Sequence, residues 1–435
     1  MVRKDPRPRP SRLFPRVAAI GMLALAAVFL LATDQDTLLG GAVLRKSGVL
    51  LRSGSMPGLI GADGYDRVLR RALASTTDDI SDAAREERIV HRALEARPSR
   101  TLSADNRNYE VIQAAQKIRE KNDNSDAPAP FLFIMQATVG MIPMVKSWIC
   151  NTETMQGVHE NTLLILDEAG KEILEDFPPA KGMHIVLDPI PENLRRSFGF
   201  RSLGYWLLTQ NRFHTILDII DLGKVPVMII EPDAVWLENP LDDPQIADGD
   251  ADIVGFTDGG PGGDIGFGFL RMNPTDTVIN LLHLAGESVD ETLKAAVEKV
   301  HGDPTAKADD FITAGEQGFF TALIKSFVKE HPDKNFLDLL PQCRYPSGLW
   351  YQGADQSNKD TPNEKCRKEG AGSVVVIQNN WMIGNKFKIA RAKEWGHWFL
   401  TDKEDQCVRT DLKIARQAVE TETKPGIEMI DLASK

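Results

Sequence analysis

The chain has 435 residues, 42% of them hydrophobic and 26% charged, with a formal net charge of −11. That is enough apolar material for one large domain or two, and too much for a disordered chain. The first sixteen residues hold Arg3, Lys4, Arg7, Arg9, Arg12 and Arg16 against Asp5, so the remaining chain carries −16, which excludes nucleic-acid binding through a basic field.

After the basic tail, residues 1–16, the segment 17–33 is apolar and uncharged up to Ala32. It reads as a signal-anchor transmembrane helix at the short end of the spanning range, with the basic flank cytoplasmic and the rest of the chain lumenal. A cleaved signal peptide has the same layout of basic start, apolar core and small residues. Four cysteines, Cys150, Cys343, Cys366 and Cys407, suit two disulfides in an oxidising lumen, with Cys343 and Cys366 the expected pair because they bracket a polar loop. Their spacing matches no zinc module. No Asn-X-Ser/Thr acceptor occurs.

Residues 34–129 read as a stem. Acids and bases alternate densely between Tyr65 and Arg97 with rough helical spacing of apolar positions, and the stem could pair two copies of the chain. A second helical patch over Tyr109–Lys121 leads into a linker, Asn122–Pro130.

From Phe131 short apolar runs alternate with longer helical stretches. Strands are expected at 131–135, 163–166, 184–187, 225–230, 252–256, 266–270 and 373–377. A long helix is expected at 204–221, with others from Thr275 and Glu316. This alternation predicts an α/β, Rossmann-like, mostly parallel sheet with helices on both faces over residues 130–410, followed by a tail, 411–435. No G-x-G-x-x-G or G-x-x-x-x-G-K-[ST] loop is present, and Gly259–Gly263 contains a proline and follows neither fingerprint.

The run Val225–Ile230 ends in two carboxylates, Glu231 and Asp233, with Pro232 between them. Acids at the mouth of a buried strand lie where open α/β sheets bind ligands, and a pair of them can hold Mg²⁺ or Mn²⁺ together with a diphosphate. A strand end followed by an Asx turn accounts for the same residues without chemistry. No Ser/His/Asp or Cys/His set stands out.

Four patches in order then resemble nucleotide-diphospho-sugar transferases of the Golgi type II class with a GT-A fold. They are most similar to the retaining group of plant and protist α-xylosyl-, arabinosyl- and galactosyltransferases. The patches are Glu231-Pro-Asp-Ala-Val-Trp-Leu-Glu-Asn-Pro240 for the acidic "D-V-D" motif, Asp264-Ile-Gly-Phe267 for "N-x-G-F", Glu316-Gln-Gly-Phe-Phe320 for "D-Q-x-x-F", and Gln378-Asn-Asn-Trp381 with Gly384, Lys386 and Lys388 for "H-x-N-W…G…K". The resemblance implies a UDP-sugar donor, a glycan or glycoprotein acceptor, and Mn²⁺ or Mg²⁺ held by Asp233, Glu231 and Gln378. It also implies that Lys386, Lys388 and Arg195 meet the donor phosphates, and that Asp264, Glu316 and Gln317 face the sugar. Lysines on a late helix, such as Lys386 and Lys388, are more often a plain solvated face. Departures from the motifs are Glu231 and Glu316 for aspartate, Asp264 for asparagine and Gln378 for histidine. A catalytically degenerate lumenal binding protein of the same fold, and a metal-assisted phosphoester hydrolase, are the alternative readings.

Overall fold

The structure, a computed structural model, describes residues 100–425 except 125–128, 192–193, 196–197, 259–261, 309–310, 313, 352–372, 409–411 and 422–423. The expected cytoplasmic tail, anchor and charged stem helices lie outside the described residues. No helix among the described residues is long and apolar enough to cross a membrane.

Nine strands are described: β1 (Leu132–Ala137), β2 (Thr162–Leu166), β3 (His184–Leu187), β4 (Val227–Ile230), β5 (Val235–Trp236), β6 (Ile253–Asp258), β7 (Asp264–Met272), β8 (Leu337–Leu339) and β9 (Val376–Ile377). The main helices are α1 (Tyr109–Asp123), α2 (Ile142–Thr152), α3 (Glu168–Glu175), α4 (Leu203–Asp221), α5 (Asp276–Lys299), α6 (Glu316–Glu330), α7 (Asn385–Glu394) and α8 (Leu412–Thr421). Several starts follow from local chemistry. Ser202 accepts from the Tyr205 N–H at the head of α4, and Thr275 accepts from Val278 N–H at the head of α5, as capping hydroxyls do.

Seven strands form one sheet in the order β3-β2-β1-β4-β7-β6-β8, and β7 alone runs against its neighbours. This is the expected mixed, mostly parallel sheet. In β1, Leu132 and Ile134 pack into one core with α1, α4, α5 and α6, while Phe133 and Met135 pack into a second with α2 and α3. The two-residue period of the strand thus feeds helices on both faces. Strand order reverses between β1 and β4, so the crevice beyond their carboxyl ends is the topological switch point of the sheet.

Three expectations change. The helix expected to belong to the stem, α1, buries Val111, Ile112, Ala115 and Ile118 in the first core. Its apolar face is a sheet-packing face, so the fold takes in residues well before Phe131. Asn122 and Ala129, at the two ends of the expected linker, exchange side-chain and main-chain hydrogen bonds of 2.6 and 2.9 Å. The late strand is only Val376–Ile377 and pairs with β5 outside the main sheet; the seventh sheet position belongs to β8, whose three residues carry no clear alternation.

Cys150 on α2 is bonded to Cys407. Cys343 is also in a disulfide, and its expected partner, Cys366, lies outside the described residues.

Candidate active site

The site grows from the end of β4. Its four residues are fully buried, and the chain then turns: the Ala234 N–H donates to the Glu231 carbonyl at 3.2 Å. Strand alternation therefore stops at Glu231, and its carboxylate and that of Asp233 are delivered to different neighbours. The turn is held from behind. Trp236 is wholly buried against Phe133, Trp148 and Phe269, and Val235 and Trp236 pair with Ile377 and Val376.

Glu231 meets Arg212 of α4. The guanidinium donates from Nη1 to Glu231 Oε1 and from Nη2 to Glu316 Oε1, both at 3.1 Å. One fixed fork thus joins the acid after β4 to the first residue of α6, 104 positions away from the arginine. Glu316 is buried at a helix N-terminus, where a carboxylate is favoured. Burial works against the arginine's charge, but Glu231 and then Glu316 outweigh it and raise its pKa further. Asn211, the residue before Arg212, donates to Asp188 at the end of β3 at 3.0 Å and so orients α4 over the strand mouths. The other Glu231 oxygen lies over Gly268 of β7, where an added Cβ would fall 2.6 Å from it.

Asp233 meets Lys388 of α7. Lys388 Nζ donates to Asp233 Oδ2 at 2.6 Å, with the Asp233 side chain 2% exposed and the lysine 21%. Desolvation pulls the lysine pKa down, but Asp233 and Glu231 together raise it. The late helix is tied to the switch point by Asn385, which donates to the Gly140 carbonyl just beyond β1 at 2.7 Å. Lys386, two positions earlier and about 200° away around the helix, is exposed.

A third group centres on Asp258, at the end of β6. One of its oxygens accepts from Trp381 Nε1 at 2.6 Å and from Asn380 Nδ2 at 3.1 Å. Gln317 also hydrogen-bonds to this carboxylate, and its Oε1 accepts from the Phe267 N–H at 3.2 Å. Burial chiefly, and Glu231 in addition, push the Asp258 carboxyl above its usual range. Asp264 stands opposite Asp258 in the β6–β7 register. Trp381 holds φ +58°, a left-handed conformation that a bulky residue adopts only under constraint.

The structure therefore brings together Glu231, Asp233, Glu316, Gln317 and Lys388, with Asp264 beside Asp258. Arg195 is elsewhere, paired with Glu168 at the start of α3 at 3.1 Å. Gln378 is 2% exposed, and neither atom of its amide has a hydrogen-bond partner among the described residues. Sequence reasoning missed Arg212 and Asp258. Arg212 did leave a trace: it sits in a helix with no acid three or four positions away.

The expected divalent-cation site does not fit these residues. Each of its carboxylates is already engaged by a different cation, Glu231 by Arg212 and Asp233 by Lys388, and the third donor is an uncharged amide. Among the described residues no three His, Cys, Asp or Glu side chains gather as a metal-binding group. Waters and donor phosphates supply part of a hard divalent ion's oxygen shell, but Glu231 and Asp233 could join it only by giving up Arg212 and Lys388.

Residues 172–391, just over half of the chain, match the model of the nucleotide-diphospho-sugar transferase family. UDP-D-xylose:L-fucose alpha-1,3-D-xylosyltransferase 3 of Arabidopsis thaliana is 25% identical over 325 residues, covering 70% of this chain and 74% of that protein. Xylosyltransferase 1 of the same plant, with the same stated reaction, is 24% identical over 315 residues, covering 68% and 76%. The solved glycosyltransferase GlyE of Streptococcus pneumoniae TIGR4 aligns with a TM-score of 0.37 and 12% identity over 68% of this chain and 65% of that one.

Proposed function

Because this chain belongs to the nucleotide-diphospho-sugar transferase family, we propose that it moves a sugar from a UDP donor to a hydroxyl of a glycan. The observation that carries this reading is the Arg212 fork. It joins the acid after β4 to the acid opening α6, beside Gln317, at the switch point where an open α/β sheet takes its ligand. UDP-xylose is the donor to try first and a fucoside the acceptor, because those are the substrates named for the plant relatives.

The transfer proceeds with retention. The bond from the anomeric carbon to the β-phosphate oxygen breaks, and its electron pair leaves with the phosphate. The acceptor oxygen forms the new bond on the same face, and its proton passes to the departing phosphate oxygen. Glu316 is ion-paired and buried, which makes it a poor nucleophile and favours this route over a covalent intermediate. Gln317, its amide oxygen fixed by the Phe267 N–H, lines the sugar side of the site. The Cys150–Cys407 disulfide supports an oxidising, lumenal compartment, and we place the protein in the Golgi membrane through residues 17–33.

The test uses the detergent-solubilised full chain made in an oxidising host. UDP release from a panel of UDP-sugars is followed with and without fucoside and other glycoside acceptors. Acceptor-stimulated release is expected. Hydrolysis indifferent to any acceptor would mean a hydrolase, and failure to bind any nucleotide sugar would leave only a role as a partner protein.

A further inference from the structure

The charge arrangement at Asp233 deepens that reading and rests on it. We propose that Lys388, in place of a divalent cation, supplies the positive charge that meets the donor's diphosphate, with Asp233 as its positioning residue. The transferase then needs no divalent metal.

Three observations carry this together. Lys388 Nζ reaches the otherwise buried Asp233 at 2.6 Å while about a fifth of its own side chain stays exposed. Glu231, the second acid that a shared cation would need, is committed to Arg212 and shaped by Gly268. The remaining expected ligand, Gln378, brings no charge. An ammonium has three N–H donors. One is spent on Asp233, and two are left to meet phosphate oxygens. Arg391, one turn further along α7, adds a second fixed positive charge, held by Asn379 Oδ1 and the Asn380 carbonyl, both at 2.6 Å. Arg212 and Lys388 thus each answer an acid at the site, Arg212 meeting Glu231 and Glu316 and Lys388 meeting Asp233. As the glycosidic bond breaks, charge gathers on the β-phosphate, and a preorganised ammonium stabilises it there without a metal.

The experiment titrates UDP into the solubilised full chain by calorimetry, once with a chelator and once with Mn²⁺, and probes Mn²⁺ alone by electron paramagnetic resonance. The expected result is a UDP Kd that agrees within about twofold in the two buffers. Lys388→Gln should weaken it about 10- to 100-fold in both, the worth of a charge-assisted hydrogen bond. Lys388→Arg, which keeps the charge and guards against misfolding of the glutamine variant, should stay within about fivefold. Asp233→Asn should leave UDP binding within about fivefold and lower kcat far more than it changes KM, because the lysine remains but is misplaced. UDP binding that appears only with Mn²⁺ and is abolished in Asp233→Asn overturns this proposal and leaves the transferase reading standing. So does wild-type affinity in Lys388→Gln. No UDP binding in either buffer sinks the transferase reading itself, and this one with it.

Discussion

Asn151 of α2 and the main chain of Trp236 exchange two hydrogen bonds, Nδ2 donating to the carbonyl and the N–H donating to Oδ1, both at 2.8 Å. The amide side chain acts here as a third strand edge for β5. It fixes the two residues that follow the acidic turn, so the position of Asp233 depends on a helix more than eighty residues earlier.

Asn151→Ala should cost about 2–4 kcal/mol of stability, since it strands a buried N–H and a buried carbonyl at once. Chemical denaturation followed by tryptophan fluorescence measures it. A loss within 0.5 kcal/mol would mean that β5 is held by its pairing with β9 alone.

Arg212 is expected to be irreplaceable by lysine. A compact ammonium lacks the rigid planar fork whose separated Nη1 and Nη2 reach Glu231 and Glu316 at the same time. Arg212→Lys should lower kcat/KM on the order of 100-fold, about 3 kcal/mol, while circular dichroism stays native. Near-wild-type kinetics would show that Glu231 and Glu316 do not need a common partner.

Gly268 is a close approach rather than a turn. Its φ is not in the left-handed region, but a Cβ there would press on the Glu231 carboxylate from 2.6 Å. Gly268→Ala should therefore displace Glu231 and cut turnover at least about tenfold, with the melting temperature changed by only a few degrees. Unchanged turnover would mean that Glu231 can move without consequence.

His397 makes stability depend on pH. Burial holds its pKa down at about 4, and its Nδ1 lies 2.8 Å from the Tyr351 hydroxyl. Below an ordinary histidine pKa of about 6.5, the unfolded chain binds a proton that the folded chain refuses until about pH 4. Stability is thus fully present above about pH 6.5 and declines as pH falls across that window, by up to about 3 kcal/mol. His397→Gln should flatten the dependence; unfolding curves at pH 7.5 and 5 for both proteins decide it.

The Cys150–Cys407 bond closes a separation of 257 positions, and its loss should destabilise the protein by about 2–5 kcal/mol. Thermal melts of Cys150→Ser beside the oxidised and reduced parent would test this, and equal melting temperatures in all three would argue that the bond is dispensable.

Much of the fold was legible because it is local. Apolar runs at 163–166 and 184–187 coincide with β2 and β3 to within a residue, and the starts at Thr275 and Glu316 mark the heads of α5 and α6. The period of a strand and the chemistry of a cap are written in neighbouring residues. Glu231 and Asp233 stood out as acids closing an apolar run, whereas Glu316, Gln317 and Lys388 were named only through the resemblance to the transferase motifs. The pairing among them was not legible. Arg212 lies 19 positions from Glu231 and 104 from Glu316, and Lys388 lies 155 from Asp233. Which cation meets which acid depends on strand order, on the turn at Pro232 and on how α4 and α7 lie across the sheet. Those are properties of the packed chain: a side chain reaches only a few ångströms, and packing alone decides what lies within that distance.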